Sequence, residues 1–340
     1  MNRLRRSKIA ALVLALTFAL VAASCGSDDN GSSSSDTTST TAAAGDNGDN
    51  NDDADSPEQP SVLEIEHAQG TTEVPFKPQR VVVFDVGVIA TLDALGVDTI
   101  IGVPTINSLP ADLKKFEGGD YTKVGTLFEP DYEEVNALEP DLIIVAGRSA
   151  AVYPDLSKIA ATVDLSVDNG DFLNSVRQRT ETLGEIFGYE DEVAARLDAI
   201  DAEITELQDL AADAGTGLIV LTTGGEVTAY GPGSRFGIIH DAFGVTPAVE
   251  EVEEATHGDA VSFEFILEAN PDILYVIDRD ATIGEEGATA EQVLDNELVA
   301  RTNAWKNGKV TYLDGFSWYI APSGLTSIET MIADVRSSLE

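Results

Sequence analysis

Glu133-Glu-Val-Asn-Ala-Leu-Glu-Pro-Asp-Leu-Ile-Ile-Val145 and Glu264-Phe-Ile-Leu-Glu-Ala-Asn-Pro-Asp-Ile-Leu-Tyr-Val276 share one construction. Each is a helix end, an X-Pro-Asp break and an apolar strand. Proline cannot continue the helix and pushes the residue before it out of the right-handed helical region. The four or more apolar residues that follow are long enough for a buried strand and too short for another helix. One α/β unit written twice implies two α/β lobes.

The flanks carry the same rhythm. Arg80 to Phe84 reads as a strand, Gly87 to Leu95 as a helix stopped by Gly96, and Thr99 to Val103 as the next strand. Farther on, Gly217 to Thr222 reads as a strand and Phe236 to Phe243 as a helix closed by Gly244. Val310 to Leu313 is a late strand and Gly324 to Leu339 a final helix. Short apolar strands alternating with helices make βαβ units. Between the halves, Asp191 to Ala212 has no Gly or Pro, and Val193, Leu197, Ile200, Ile204, Leu207 and Leu210 recur at helical spacing. That predicts a connecting helix of about 22 residues, roughly 33 Å long. The expected fold is α/β: two Rossmann-like lobes with mostly parallel sheets, joined by one long helix. The lobes span 61–190 and 214–340, and the connector 191–213.

The first sixty residues are of another kind. Arg3, Arg5, Arg6 and Lys8 precede an apolar run from Ile9 to Ala23, and small residues lead to Cys25, the only cysteine of 340 residues. Charge, length and ending are those of a secretory signal over 1–24. Cys25 at the first mature position resembles a bacterial lipoprotein signal, in which that thiol is lipidated. Residues 25–60 carry almost no large apolar side chain and read as a disordered acidic linker. A single cysteine leaves no disulfide to form within the chain.

The formal charge is −40, from 60 acidic and 20 basic residues. Loss of the four bases in the signal takes it to about −44, a surface that repels nucleic acid and anionic lipid. A chain so poor in cations can bind an anion only by gathering them. Arg148 follows the strand of the first repeated unit and Arg279 that of the second, at the carboxyl edge where α/β sheets hold ligands. Arg235 lies in Tyr230-Gly-Pro-Gly-Ser-Arg-Phe-Gly237, where Ser234 is a candidate helix cap. Taken singly, an arginine after a strand is more often a surface salt bridge. Trp318 and Tyr230 are candidates for stacking or cation–π contact. His257, in a polar loop, and Tyr319, in an aromatic cluster, are side chains suited to ferric iron. His67 and His240 read as structural.

From about Ile65 onward the chain resembles the ferric-siderophore-binding proteins of bacterial ABC importers, in the branch taking catecholate and citrate-catecholate complexes. The resemblance rests on His67-Ala-Gln-Gly-Thr71, Leu92-Asp-Ala-Leu-Gly-Val97, Gly125-Thr126, Gly231-Pro-Gly-Ser-Arg-Phe-Gly-Ile-Ile-His-Asp241, Thr256-His-Gly258, Leu294-Asp-Asn296 and Trp318-Tyr319, with the strands quoted above. It implies a shallow cleft lined by Arg148, Arg235 and Arg279, with His257 and Tyr319 ligating iron where the siderophore leaves sites open. It also implies that Glu133 and Glu264 dock onto arginines of the permease. The ligand would be an anionic ferric siderophore, with no tightly bound cofactor. The partners would be the permease, its ATPase and, through Cys25, the membrane, and the receptor would be a monomer. Haem or a corrinoid is the alternative cargo for the same architecture. A free Zn²⁺ or Mn²⁺ receptor needs three or four converging ligands, which three scattered histidines do not supply. No Gly-x-Ser-x-Gly, phosphate-loop or His-Glu-x-x-His pattern points to an enzyme.

Overall fold

The computed structural model describes residues 61–250, 252 and 259–340. The signal (1–24), Cys25, the linker (25–60) and His257 lie outside the described residues. The described chain opens with an antiparallel hairpin, β1 (Val62–His67) and β2 (Gly70–Pro75). The next five strands are β3 (Val81–Val83), β4 (Ile100–Val103), β5 (Thr122–Lys123), β6 (Leu142–Val145) and β7 (Thr162–Asp164). They form one sheet, in order β5-β4-β3-β6-β7, and every pair is parallel. The second sheet holds β8 (Thr216–Thr223), β9 (Glu226–Tyr230), β10 (Thr246–Pro247), β11 (Asp259–Ala260), β12 (Ile273–Asp278) and β13 (Val310–Tyr312). Its order is β11-β9-β8-β12-β13, with β10 beside the start of β8. Here β12 runs parallel to β8 and β13, whereas β9 folds back antiparallel on β8 and β11 on β9. The antiparallel edge comes from Gly224 and Gly225, both at positive φ (59° and 81°), which turn β8 straight into β9.

Each repeated unit does the same physical work in its own sheet. Glu139 and Asn270, the residues before the prolines, both take left-handed backbone angles, with φ of 45° and 42°. The aspartate after each proline then fastens the neighbouring strand. Asp141 accepts from the amides of Gln79 and Arg80 at 2.8 and 2.9 Å, just before β3. Asp272 accepts from the amide of Thr216 at 3.0 Å, at the start of β8, and from Asn303 Nδ2 at 3.0 Å. The carboxylates thereby help set the registers Val81↔Leu142 and Ile273↔Gly217. The backbone hydrogen bond from Thr216 holds the Asp272 carboxyl below its ordinary value, outweighing burial.

Both sheets are covered on both faces, which explains strands that are apolar throughout rather than alternating. In β12, Ile273, Tyr275 and Ile277 join one core while Leu274 and Val276 join another. In β6, Leu142 and Ile144 face the core shared with the hairpin, and Ile143 and Val145 the opposite one. The connecting helix runs Glu190–Ala211 and buries Val193, Leu197, Ile200, Ile204, Leu207 and Ala211. Its acidic first turn, Glu190, Asp191 and Glu192, suits the positive end of the helix dipole. A bidentate pair from Arg196 to Glu329 at 2.8 and 2.9 Å ties it to the final helix, Leu325–Leu339. A further helix, Phe172–Phe187, packs beside it and was not foreseen from sequence. Its buried face includes Arg179, Thr180 and Gly184, so its apolar stripe is interrupted.

Candidate functional site

Arg148 leaves the carboxyl end of β6 in a 3₁₀ turn, Gly147–Val152. Ser149 anchors that turn: its hydroxyl accepts from the Ala146 amide at 3.0 Å and donates to the Phe84 carbonyl at 2.8 Å. Arg279 opens the short helix Arg279–Ile283 that follows β12. Asp278 caps this helix by accepting from the Ala281 amide at 3.0 Å. Arg235 lies in the turn after β9, where Asp241 holds the Gly233 amide at 2.7 Å. Ser234 does not cap a helix as its sequence suggests: its hydroxyl donates to the Gly231 carbonyl at 2.6 Å, and the helix beyond is only Ile238–Asp241.

All three arginines meet one residue. Arg235 Nη2 donates to the Tyr319 carbonyl at 2.6 Å, and its guanidinium lies 4.3 Å from the Tyr319 ring centroid. Arg148 donates to the same carbonyl at 3.0 Å and to the Ile320 carbonyl at 2.9 Å. Arg279 Nε donates to the Tyr319 hydroxyl at 3.0 Å, while Nη1 reaches Thr223 Oγ1 at 3.1 Å. Tyr319 is carried by a single π-helical turn, Phe316–Ile320, a geometry frequent at functional sites. Burial pushes its phenol up. The hydrogen bond and charge of Arg279, with the charge of Arg235, outweigh that and leave it below an ordinary tyrosine. Burial, and then the charge of Arg148, push Arg235 down. The arrangement is a concentration of positive charge around an acidified phenol.

A cavity of about 280 Å³ opens against Arg148 and Arg235, lined also by Phe172, Ile320 and Ser323 but not by Arg279 or Tyr319. A second, of about 380 Å³, shares Asn169 and Phe172 with it but is lined by Asp171 and Asp241 and by no base, so it does not suit an anion. Among the described residues, no group of three or more His, Cys, Asp or Glu side chains could hold a metal ion by itself.

Two of the aromatic candidates do not reach the cleft. Trp318 is fully buried and donates its indole N–H to Asp334 at 2.8 Å. As successive residues in one turn, Trp318 and Tyr319 point different ways, so only Tyr319 lies among the arginines. Tyr230 is 6% exposed and meets Phe236 edge-on at 4.7 Å, and the Arg235 guanidinium lies 5.1 Å from the Phe236 ring centroid. Glu133 and Glu264 are both exposed, each in the first turn of a short helix, Tyr132–Ala137 and Phe263–Ala269. His67 and His240 have structural partners, Thr72 Oγ1 at 2.8 Å and the Val245 carbonyl at 2.7 Å.

The model of one family, the periplasmic binding proteins, matches residues 81–315. The chain belongs to that family. Among relatives of this periplasmic binding protein, the petrobactin-binding protein YclQ of Bacillus subtilis is 40% identical over 98% of this chain and 99% of its own. The crystal structure of YclQ superposes with a TM-score of 0.78 at 42% identity, over 82% of this chain and 99% of that one. The ferric-anguibactin-binding protein FatB of Vibrio anguillarum is 36% identical over 80% of this chain and 86% of its own. The periplasmic catecholate-siderophore binding protein VctP of Vibrio cholerae has a TM-score of 0.77 at 36% identity, over 81% of this chain and 99% of that one. The two-lobed α/β architecture is therefore that of its relatives.

Sequence reasoning missed the wall behind this site. Asp85, which lines the cavity, pairs with Arg179 of the helix Phe172–Phe187, and Arg179 also reaches Ser323. The available signal was an arginine three residues after Val176 and four before Leu183, on the buried stripe of a helix.

Proposed function

We propose that this chain is the substrate-binding component of an ABC iron importer, capturing an anionic ferric siderophore of catecholate or citrate-catecholate type. The convergence of Arg148, Arg235 and Arg279 on Tyr319 carries the reading. A ferric tris-catecholate holds about three negative charges on a bulky, mostly aromatic surface. Arginine answers it with planar donors and a charge that no physiological pH removes. The carbonyls that now occupy Arg148 and Arg235 are neutral, so a trianion competes for those donors favourably; Arg279 is held by the Tyr319 and Thr223 hydroxyls and, at 3.4 Å, by Asp280 and Glu285. The relatives named above for petrobactin, ferric anguibactin and a catecholate siderophore support iron chelates over haem or a corrinoid.

His257 and Tyr319 are the residues proposed to complete iron coordination when the chelate leaves positions open, and the acidified Tyr319 phenol suits that role. Glu133 and Glu264 are proposed to dock the permease. Each helix that bears them returns to the start of a parallel strand, so it begins at the strands' carboxyl edge, where Arg148 and Arg279 stand. Cleft mouth and docking carboxylates then face the same way. The place of work is extracytoplasmic. No helix among the described residues is long and apolar enough to cross a membrane, and lipidation at Cys25 after removal of 1–24 would tether the monomer. The linker 25–60 acts as the leash that raises its effective concentration at the permease. The lobes are placed at 61–190 and 214–340, with 191–213 between them.

The test is a fluorescence titration with a panel of ferric siderophores. At least one ferric catecholate binds with a Kd below about 1 μM, some −8 kcal/mol, and Arg148→Ala with Arg279→Ala abolishes the binding. Unchanged affinity in a folded double variant would refute the anion cleft. Loss in His257→Ala confined to chelates with open iron sites would assign that ligand.

A further inference from the structure

We infer that Arg179 is a fourth arginine of this site, acting on the cargo through Asp85. It cancels a carboxylate that the cleft wall would otherwise turn toward an anion, and it holds the segment that presents Tyr319. The inference rests on the reading of an anionic cargo.

Asp85 has a structural reason to be where it is. It caps the helix Val86–Ala94, its Oδ1 accepting from the Val88 amide at 2.9 Å. That places a negative charge in the wall of the cavity that Arg148 and Arg235 line, with its side chain 17% exposed. Serine or threonine would cap without the charge. Arg179 answers it from the interior: Nη2 donates to Asp85 Oδ1 at 2.5 Å with the arginine side chain 3% exposed. Gly87 leaves room for this approach, since a Cβ there would stand 3.0 Å from Nη2.

Stability does not account for such an arrangement. A buried ion pair gains little over apolar packing of the same volume, and Nε of Arg179 is buried with no partner among the described residues. A chain with 20 bases against 60 acids has placed one of them in its interior. Its second bond shows what else it does. Nη1 donates at 2.6 Å to the hydroxyl of Ser323, itself 7% exposed and in the cavity wall. Two residues on, the Leu325 amide donates to Thr91 Oγ1 at 3.0 Å. The strip just past Tyr319 and Ile320, whose carbonyls Arg148 and Arg235 grip, is thus pinned to the first lobe. Arg179 is a positioning residue that never touches the cargo.

The probe is ferric enterobactin, a triply anionic tris-catecholate, titrated by fluorescence at low and at physiological salt, with thermal melts to confirm folding. Arg179→Met weakens binding about tenfold, and more at low salt, because Asp85 then stands uncancelled near three like charges. Asp85→Asn in the Arg179→Met background restores most of the loss. Asp85→Asn alone binds tighter than wild type, since the charge of Arg179 is then uncancelled. Arg179→Lys, which keeps the charge, loses less than Arg179→Met. An indifferent Arg179→Met would overturn the inference, as would a loss that Asp85→Asn fails to relieve. Weaker binding by Asp85→Asn alone would overturn it even if Arg179→Met does not fold. A wild-type chain that binds no ferric catecholate sinks the functional reading and this inference together. Normal wild-type binding with any of the other failures sinks this inference alone.

Discussion

Removing Arg279 should reverse the direction in which Tyr319 titrates. Burial raises this phenol, and the hydrogen bond and charge of Arg279, with the charge and hydrogen bonding of Arg235, together lower it further than burial raises it. The 3.0 Å bond from Arg279 Nε to the Tyr319 hydroxyl is charge-assisted. Such a bond is worth about 1.5 kcal/mol at a partly exposed site. In Arg279→Met that bond and the nearer charge are gone, burial dominates, and Tyr319 moves from below to above the ordinary value of about 10. Phenolate absorbance in the near ultraviolet, followed through an alkaline titration, reads the change, and Tyr319→Phe assigns the transition. The other displaced tyrosines do not obscure it: burial pushes Tyr275 up to about 12, and Tyr230 and Tyr312 also upward. Stability follows with a definite sign. The folded value lies below the unfolded one, so the contribution is absent at neutral pH, grows as pH rises through the folded value and is complete above about 10. Arg279→Met removes that alkaline gain. A transition that stays at the same pH, or moves lower, would refute the view that Arg279 is what acidifies Tyr319.

Two further substitutions test the frame around the site. Asp334 accepts from both Trp318 Nε1 and the Asp314 amide on a single oxygen, Oδ2, and burial raises its carboxyl above the ordinary value. An asparagine oxygen can keep both bonds without the buried charge, so Asp334→Asn should stabilise by about 1 kcal/mol at neutral pH in urea unfolding. Because the folded value is raised, the penalty for ionisation in the parent vanishes as pH falls below it, and the advantage of the variant should vanish there too; a destabilised variant at pH 7 would contradict this. Asp272→Ala should cost about 1 kcal/mol by freeing the Thr216 amide and Asn303. The depressed Asp272 carboxyl places that contribution above about pH 4, to be lost as pH falls through the folded value, and a cost that persists under acid would show that the carboxylate charge is not the cause.

Strands and the connecting helix were legible in the sequence because each is decided by local patterning. Ile273 to Asp278 is apolar on both faces, and the 22-residue connecting helix repeats its apolar stripe without Gly or Pro. The helix Phe172–Phe187 was not, since its buried face includes Arg179 and Thr180, whose reasons for burial lie far away in Asp85 and Ser323. The same division runs through the site. Arg148 and Arg279 could be placed by their positions after equivalent strands. That they meet at the Tyr319 carbonyl and hydroxyl depends on how a distant π turn enters the cleft. Nor does spacing distinguish Trp318 from Tyr319, since adjacent residues diverge by about 100° on a helix, and only the packing of Asp334 decides which ring is core.

The acidity of the chain and its cation cleft are not in conflict, because they act over different distances. At physiological ionic strength exposed charges are screened beyond about 8 Å, so most of the acidic surface contributes little to an anion already seated among Arg148, Arg235 and Arg279. Within that distance the balance turns on individual residues. Asp85 is the carboxylate in the wall of the cavity beside Arg148 and Arg235, and it is the one with a buried arginine placed against it. The surface acids need no such partner. A strongly anionic body can thus carry an anion provided that each carboxylate inside the screening length is neutralised, and the Asp85–Arg179 pair meets that condition at the wall while the three part-buried arginines supply the positive charge beside it.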